Sequence, residues 1–154
     1  MGIFSWNCRG LGHLLTVRAA KQLTHRWLPN LIFFSETKQL FKQLDFLGMS
    51  LGYRNSVGVD CNGSRGGLWS AWDDCQHITS ELEQKIRRCA RPVAQIGDFN
   101  EVRSVEDQWS PKFPMVRVLV SSDWFEKFSN ASLMVLPIQR SNHGPLVFDT
   151  DMVV

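Results

Sequence analysis

An α/β layered fold is what this sequence predicts, and three observations carry the prediction. The first fifty residues alternate between strand-like and helix-like patterns. The strand-like runs are short, apolar and closed by polar turns. The composition, with 44% hydrophobic and 21% charged residues, is that of a chain that packs a core. At 154 residues the chain has the size of one domain, and no internal repeat or low-complexity linker divides it, so residues 1–154 read as a single unit.

The elements follow in order. Ile3 to Trp6 is a buried strand running into the polar, glycine-rich turn Asn7-Cys8-Arg9-Gly10-Leu11-Gly12. From Leu15 to Leu28 the apolar residues Val17, Ala20, Leu23 and Trp27 recur at helical spacing, with Thr16 as N-cap and Pro29 as stop. Leu31 to Phe34 is a second buried strand, ending at Ser35-Glu36-Thr37. Lys38 to Phe46 suits a short amphipathic helix, punctuated by Gly48 and Gly52. Tyr53 to Val59 and Leu68 to Trp72 read as strands joined through a tight turn at Gly63 to Gly67.

Asp73 to Arg91 is polar and charged and reads as a solvated face, with an exposed helix from about Thr79 broken by Pro92. Val93 to Ile96 is a third buried strand, ending at Gly97-Asp98-Phe99-Asn100-Glu101. Ser104 to Pro114 is loop-like. Asp123 to Phe128 is a short helix capped by Ser121 or Ser122. Ser132 to Leu136 and Leu146 to Phe148 are strand-length apolar runs, separated by the polar turn Arg140-Ser141-Asn142-His143-Gly144-Pro145.

Composition also excludes function classes. The net charge of +2 is too small to argue for nucleic acid by itself. The longest apolar run, Leu31-Ile32-Phe33-Phe34, is far below the ~20 residues of a membrane helix, so no membrane partner is expected. Four cysteines without a C-x-x-C pair or a histidine at finger spacing speak against structural zinc. They are also too few for a disulfide framework, and no secretory leader pattern is evident. An intracellular, reducing compartment, nuclear or cytoplasmic, is favoured.

Asn7, Glu36, the Asp98/Asn100 pair and His143 share a position: each follows an apolar strand or stands in the loop entering one. In an open α/β sheet functional groups gather at strand ends, where side chains converge without occupying the core. Taken singly, each has an ordinary reading as a turn, cap or loop residue. Taken together they suit phosphodiester cleavage. Glu36 offers a hard divalent ion a carboxylate. Asp98 can orient and deprotonate a water. Asn7 and Asn100 can hold phosphate and catalytic groups in place. His143 as imidazolium can stabilise charge on phosphoryl oxygens.

Ser5-Trp6-Asn7-Cys8-Arg9-Gly10-Leu11-Gly12, Ser35-Glu36-Thr37-Lys38 and Ile96-Gly97-Asp98-Phe99-Asn100-Glu101-Val102 resemble motifs of the endonuclease/exonuclease/phosphatase superfamily. The likeness is closest to the apurinic-endonuclease-like nuclease domain of plant LINE-type retrotransposons. Gly63-Ser64-Arg65-Gly66-Gly67-Leu68, Ser122-Asp123-Trp124-Phe125 and Ser141-Asn142-His143-Gly144-Pro145-Leu146 extend it in the same order over most of the chain. The resemblance implies a four-layer α/β sandwich, two packed β-sheets flanked by helices. It implies DNA as substrate and partner, nicked to leave a 3′-hydroxyl, and Mg²⁺ (or Mn²⁺) as cofactor. Glu36 would then bind the metal, Asn7 and Asn100 would orient phosphate and catalytic groups, Asp98 would activate the water, and His143 would contact the scissile phosphate.

Departures from the motifs imply an incomplete sandwich and an impaired site. The closing Ser-Asp-His of the resembled family stands here as Ser141-Asn142-His143, so Asn142 takes the place of an acidic residue at the metal. An amide is a weaker ligand for a hard cation and cannot offset an imidazolium. Val116 stands where the resembled family carries an aspartate that pairs with the histidine. The spacing implies internal deletions near residues 73–92 and 104–116. A non-catalytic retroelement remnant and a phosphatase of the same superfamily are the alternative expectations.

Overall fold

The structure is a computed structural model that describes residues 1–73, 94–98, 116–120, 122–138 and 141–150. The inferred deletions, the helix from Thr79, the loop before Pro114 and Asn100 lie outside the described residues.

Eight strands and three helices are described. In chain order they are β1 (Gly2–Asn7), α1 (Leu14–Trp27), β2 (Leu31–Ser35), α2 (Phe41–Ser50), β3 (Asn55–Asn62), β4 (Arg65–Trp72), β5 (Ala94–Asp98), β6 (Val116–Val120), α3 (Ser122–Lys127), β7 (Ser132–Val135) and β8 (Leu146–Asp149). The expected α/β class is what the chain adopts. Six strands form a mixed sheet in the order β3-β4-β2-β1-β8-β7, and β5 pairs with β6 in a second, antiparallel sheet. Among the described strands only the β1–β2 pair is parallel, with Asn7 opposite Ser35, as the crossover through α1 requires. β5 comes within packing distance of β1.

Period-2 alternation sorts the large sheet into two faces. Phe4 and Trp6, Ile32 and Phe34, and Trp69 and Ala71 point to the face covered by Ala19 and Ala20 of α1 and by Leu44 and Leu47 of α2. Phe34 anchors this core, with ring centroids 5.7 Å from Phe4, 6.1 Å from Trp6 and 5.8 Å from Trp69. On the opposite face Trp124 of α3 packs on Phe148 of β8 at 5.4 Å. Val57, Val59 and Leu68, on that same face toward the β3 edge, are exposed.

Local differences from the sequence expectation have physical causes. Helix α1 starts at Leu14, and its N-cap is His13, whose Nδ1 accepts from the Leu15 N–H at 3.3 Å. Thr16, expected as the cap, is instead buried inside the first turn. Helix α2 starts at Phe41 rather than Lys38, because Lys38 takes a left-handed φ of 53° that no α-helix accepts. Its entry is closed by Asp60 of β3, which accepts from the Phe41 N–H at 2.6 Å. α2 also continues through Gly48 to Ser50, where a Cβ on Gly48 would lie only 3.1 Å from Trp69; glycine sets how closely α2 seats on β4.

The hairpin turn is confined to Gly63 and Ser64, so Gly66 and Gly67 belong to β4. β6 has no counterpart in the sequence expectation, although Val116, Val118 and Val120 alternate there.

Candidate active site

Four chain segments meet at the end of the sheet where β1 and β2 finish. β1 and β2 run parallel and stop together at Asn7 and Ser35, so Asn7 and Glu36 leave adjacent strands at one end. β4 is antiparallel to β2, with Ser35 opposite Leu68, which places Gly66 and Gly67 at that end. β8 is antiparallel to β1, with Ser5 opposite Leu146, which brings in the turn Ser141-Asn142-His143.

The loops are tied to one another by backbone hydrogen bonds. Cys8 N–H donates to Ser35 O at 3.1 Å, and Leu11 N–H to Thr37 O at 2.8 Å. Thr37 N–H donates to Gly67 O at 3.1 Å, and Lys38 N–H to Gly66 O at 2.9 Å. These ties hold Arg9, Glu36 and Lys38 at φ of 49°, 54° and 53°. Left-handed conformations cost non-glycine residues of order 1 kcal/mol each and persist only where surrounding contacts enforce them.

Glu36 is half-buried, and its Oε2 accepts from the Gly66 N–H at 3.2 Å. The bond fixes one carboxylate oxygen and leaves Oε1 available. The Asn7 side-chain oxygen Oδ1 is buried and has no hydrogen-bond partner among the described residues. Orphaned buried acceptors are rare and costly in folded proteins, and a ligand that binds oxygen would satisfy this one.

His143 is buried, 8% exposed, while Asn142 beside it is exposed. The turn is locked by Ser141, whose hydroxyl donates to His143 O at 2.8 Å and accepts from His143 N–H at 3.1 Å. The Trp6 indole N–H is shared between His143 O at 3.1 Å and Ser141 Oγ at 3.2 Å. Trp6 neighbours Asn7 in sequence, so one strand end positions both Asn7 and the histidine turn.

Cys8 is buried beneath this site. Its thiol donates weakly to Ser35 O at 3.4 Å, and burial pushes its pKa up to about 11. The thiol is therefore a packing group here, not a nucleophile.

The register thus brings Asn7, Glu36 and the turn of Asn142 and His143 to one sheet end. Asp98 is the last residue of β5. Among the described residues no group of three or more His, Cys, Asp or Glu side chains forms a metal cage. The donors present still fit a hard divalent ion. Glu36 and Asn7 Oδ1 both offer oxygen, and Mg²⁺ commonly takes one or two protein oxygens, completing its shell with water and phosphate. Sequence reasoning assigned no positioning role to Trp6 or Ser141. Nothing in a lone Trp before Asn7 signals a hydrogen bond to a turn so distant in the chain.

Among the described residues, no helix is long and apolar enough to cross a membrane.

No protein-family model and no curated protein matches the chain. Solved structures do. A 3′–5′ exonuclease (NExo) from Neisseria meningitidis superposes with a TM-score of 0.65 at 14% identity, covering 99% of this chain and 100% of that one. A 3′ phosphatase NExo from Neisseria, in a substituted form bound to product DNA hairpin, gives a TM-score of 0.68 at 13% identity with the same coverage. The chain has the α/β fold of these two enzymes.

Proposed function

We propose that this chain is a metal-dependent phosphodiesterase of the endonuclease type, derived from a retroelement nuclease that nicks DNA, with its activity lowered by Asn142. One observation carries the reading: the ends of β1 and β2 and the turn before β8 deliver Asn7, Glu36 and His143 to one end of a single sheet. The fold shared with a 3′–5′ exonuclease and a DNA-bound 3′ phosphatase supports it.

In this reading Glu36 and Asn7 Oδ1 hold Mg²⁺ or Mn²⁺, which when bound neutralises phosphate charge and polarises a P–O bond. Asp98 takes the proton of the attacking water. Asn100 orients the catalytic groups, and His143 donates to the scissile phosphate as negative charge builds there. Asn142 stands where a carboxylate would strengthen the hold on the metal and the imidazolium, and its neutrality weakens both.

Plasmid nicking with Mg²⁺, run on the parent chain, Asp98→Ala and Asn142→Asp, tests the proposal. A 3′-phosphorylated oligonucleotide serves as second substrate. Nicking by the parent or by Asn142→Asp, lost on adding Asp98→Ala, is the expected result. Phosphate release without nicking assigns the phosphatase activity instead. Silence of every form, with circular dichroism showing each one folded, overturns the enzymatic reading in favour of a non-catalytic remnant.

A further inference from the structure

β3 ends the large sheet, and among the described residues no strand pairs with its outer side. It runs eight residues in one register with β4, from Asn55 opposite Trp72 to Asn62 opposite Arg65. Its sequence holds no Lys, Arg or Pro. Proteins blunt exposed edges with such residues, with bulges or with covering loops, because an open edge is a template for another strand. The C-terminal end of β3 is closed, where Cys61 N–H donates to Gln39 O at 3.4 Å.

Exposed apolar side chains flank this edge on both faces. Val57 and Val59, 57% and 62% exposed, alternate on one face. On the other face α2 lies along β3, where the Ser56 hydroxyl donates to Asp45 Oδ1 at 3.0 Å. Met49 stands one turn beyond Asp45, 62% exposed, and Phe46 beside it is 74% exposed. The charges are ordered as well. Arg54 directly precedes β3, in line with the face of Ser56, and Asp60 stands near the end of the strand on that same face, where it accepts from Phe41 N–H.

We propose that the β3 edge is a dimer interface, at which a second copy of this chain adds its own β3 antiparallel and joins two six-stranded sheets into one of twelve. A strand that is positive before its start and negative near its end matches its own copy when the two run antiparallel. The register that sets Arg54 opposite Asp60 of the second copy also sets Asp60 opposite Arg54 of that copy, and it places Val57 against its own counterpart on the twofold axis. Ser56 then faces Gly58, Asn55 faces Val59, and no like charges meet. The guanidinium has five donors, so Arg54 can keep Asp73, 3.7 Å away, while meeting Asp60. An axis perpendicular to the sheet gathers the four valines on one face and brings the two α2 helices alongside each other on the other, which covers Met49 and Phe46. The two candidate active sites fall at opposite ends of the joint sheet, so the proposal is independent of the phosphodiesterase reading.

The test is sedimentation velocity of the full chain over a concentration series. The parent should show a monomer–dimer equilibrium. Val57→Lys sets two ammonium groups against each other on the axis and, at an exposed position, leaves the core of the monomer untouched; it should be monomeric. Arg54→Glu and Asp60→Arg each strike both symmetric charge pairs and should raise the dimer Kd about tenfold. Combining the two restores opposite charges and should recover most of the affinity. Val135→Lys, the same kind of change at an exposed position of the opposite edge strand β7, should dimerise like the parent.

A parent that stays monomeric, a dimer unchanged in Val57→Lys, an equal loss in Val135→Lys, or association that continues past the dimer overturns the proposal. So does a folded double variant that binds no tighter than the single ones, because the charge register is what identifies the second copy. Far-UV circular dichroism checks the fold of each variant. Should Asp60→Arg unfold through loss of its bond to Phe41 N–H, Val57→Lys and Arg54→Glu carry the test. Association is read without substrate or metal, so an inactive centre leaves the result intact.

Discussion

The indole N–H of Trp6 donates to the carbonyl oxygen of His143 at 3.1 Å, across 137 positions of sequence. Trp6 is buried in the core beneath α1 and α2, and His143 closes the turn before β8. The bond therefore couples the core to the candidate catalytic turn. Ser141 Oγ sits in the same network, so the main chain of the turn is held from both sides. Replacing Trp6 by Phe keeps most of the ring but removes the donor and opens a small void. Equilibrium urea unfolding should show a loss of about 1–3 kcal/mol. Ser141→Ala should cost about 1–2 kcal/mol by the same measurement.

Asn7 gives a prediction of opposite sign. Its Oδ1 is buried without a partner among the described residues, so the metal-free protein carries an unsatisfied acceptor. Asn7→Ala should leave stability in EDTA unchanged or raise it by up to about 1 kcal/mol. Mn²⁺ should raise the melting temperature of the parent chain, and this shift should shrink in Asn7→Ala and vanish in Glu36→Gln. Thermal melts with and without the ion read both effects.

Gly67 separates steric demand from backbone demand. Its φ is 86°, and an added Cβ would collide with Thr37 Oγ1, which is itself fully buried. Gly63 has φ of 59° but opens on empty space. Gly67→Ala should cost about 2–4 kcal/mol, the left-handed penalty plus the clash, and Gly63→Ala only about 1 kcal/mol. Chemical denaturation of the two variants checks the difference.

Alkaline pH should destabilise the fold through Cys8. Burial raises its thiol from 9.0 to about 11, so the folded chain holds a proton that the unfolded chain releases. The stabilisation is complete below about pH 9 and is lost as pH rises through about 11, a total of order 2–3 kcal/mol. Tyr53, raised to about 12 by burial, with its hydroxyl donating to Pro29 O at 2.7 Å, extends the decline to higher pH. Unfolding free energies measured from pH 7.5 upward should fall across this window, and Cys8→Ala should flatten the segment between about 9 and 11.

Much of the fold was legible because its signals are local. Apolar runs of strand length marked β1, β2, β5, β7 and β8, and helical spacing from Val17 to Trp27 marked α1. Boundaries were less legible where another segment decides them. Lys38 lies outside α2 because Gly66 and Gly67 of β4 bind the residues before it, and Gly48 lies inside α2 because Trp69 needs the space. β6 pairs with β5, and its alternating valines stood close to a proline-bearing stretch that hid them.

By itself the sequence determined the α/β alternation and which polar residues stand at strand ends, because hydrophobic periodicity and turn chemistry depend only on near neighbours. Only the tertiary structure decided that Asn7, Glu36 and His143 share one end of one sheet. It also decided that Trp6 and Ser141 hold the histidine turn. Each of these is a contact between remote segments, settled by strand order and register, and no local pattern encodes which strand lies beside which.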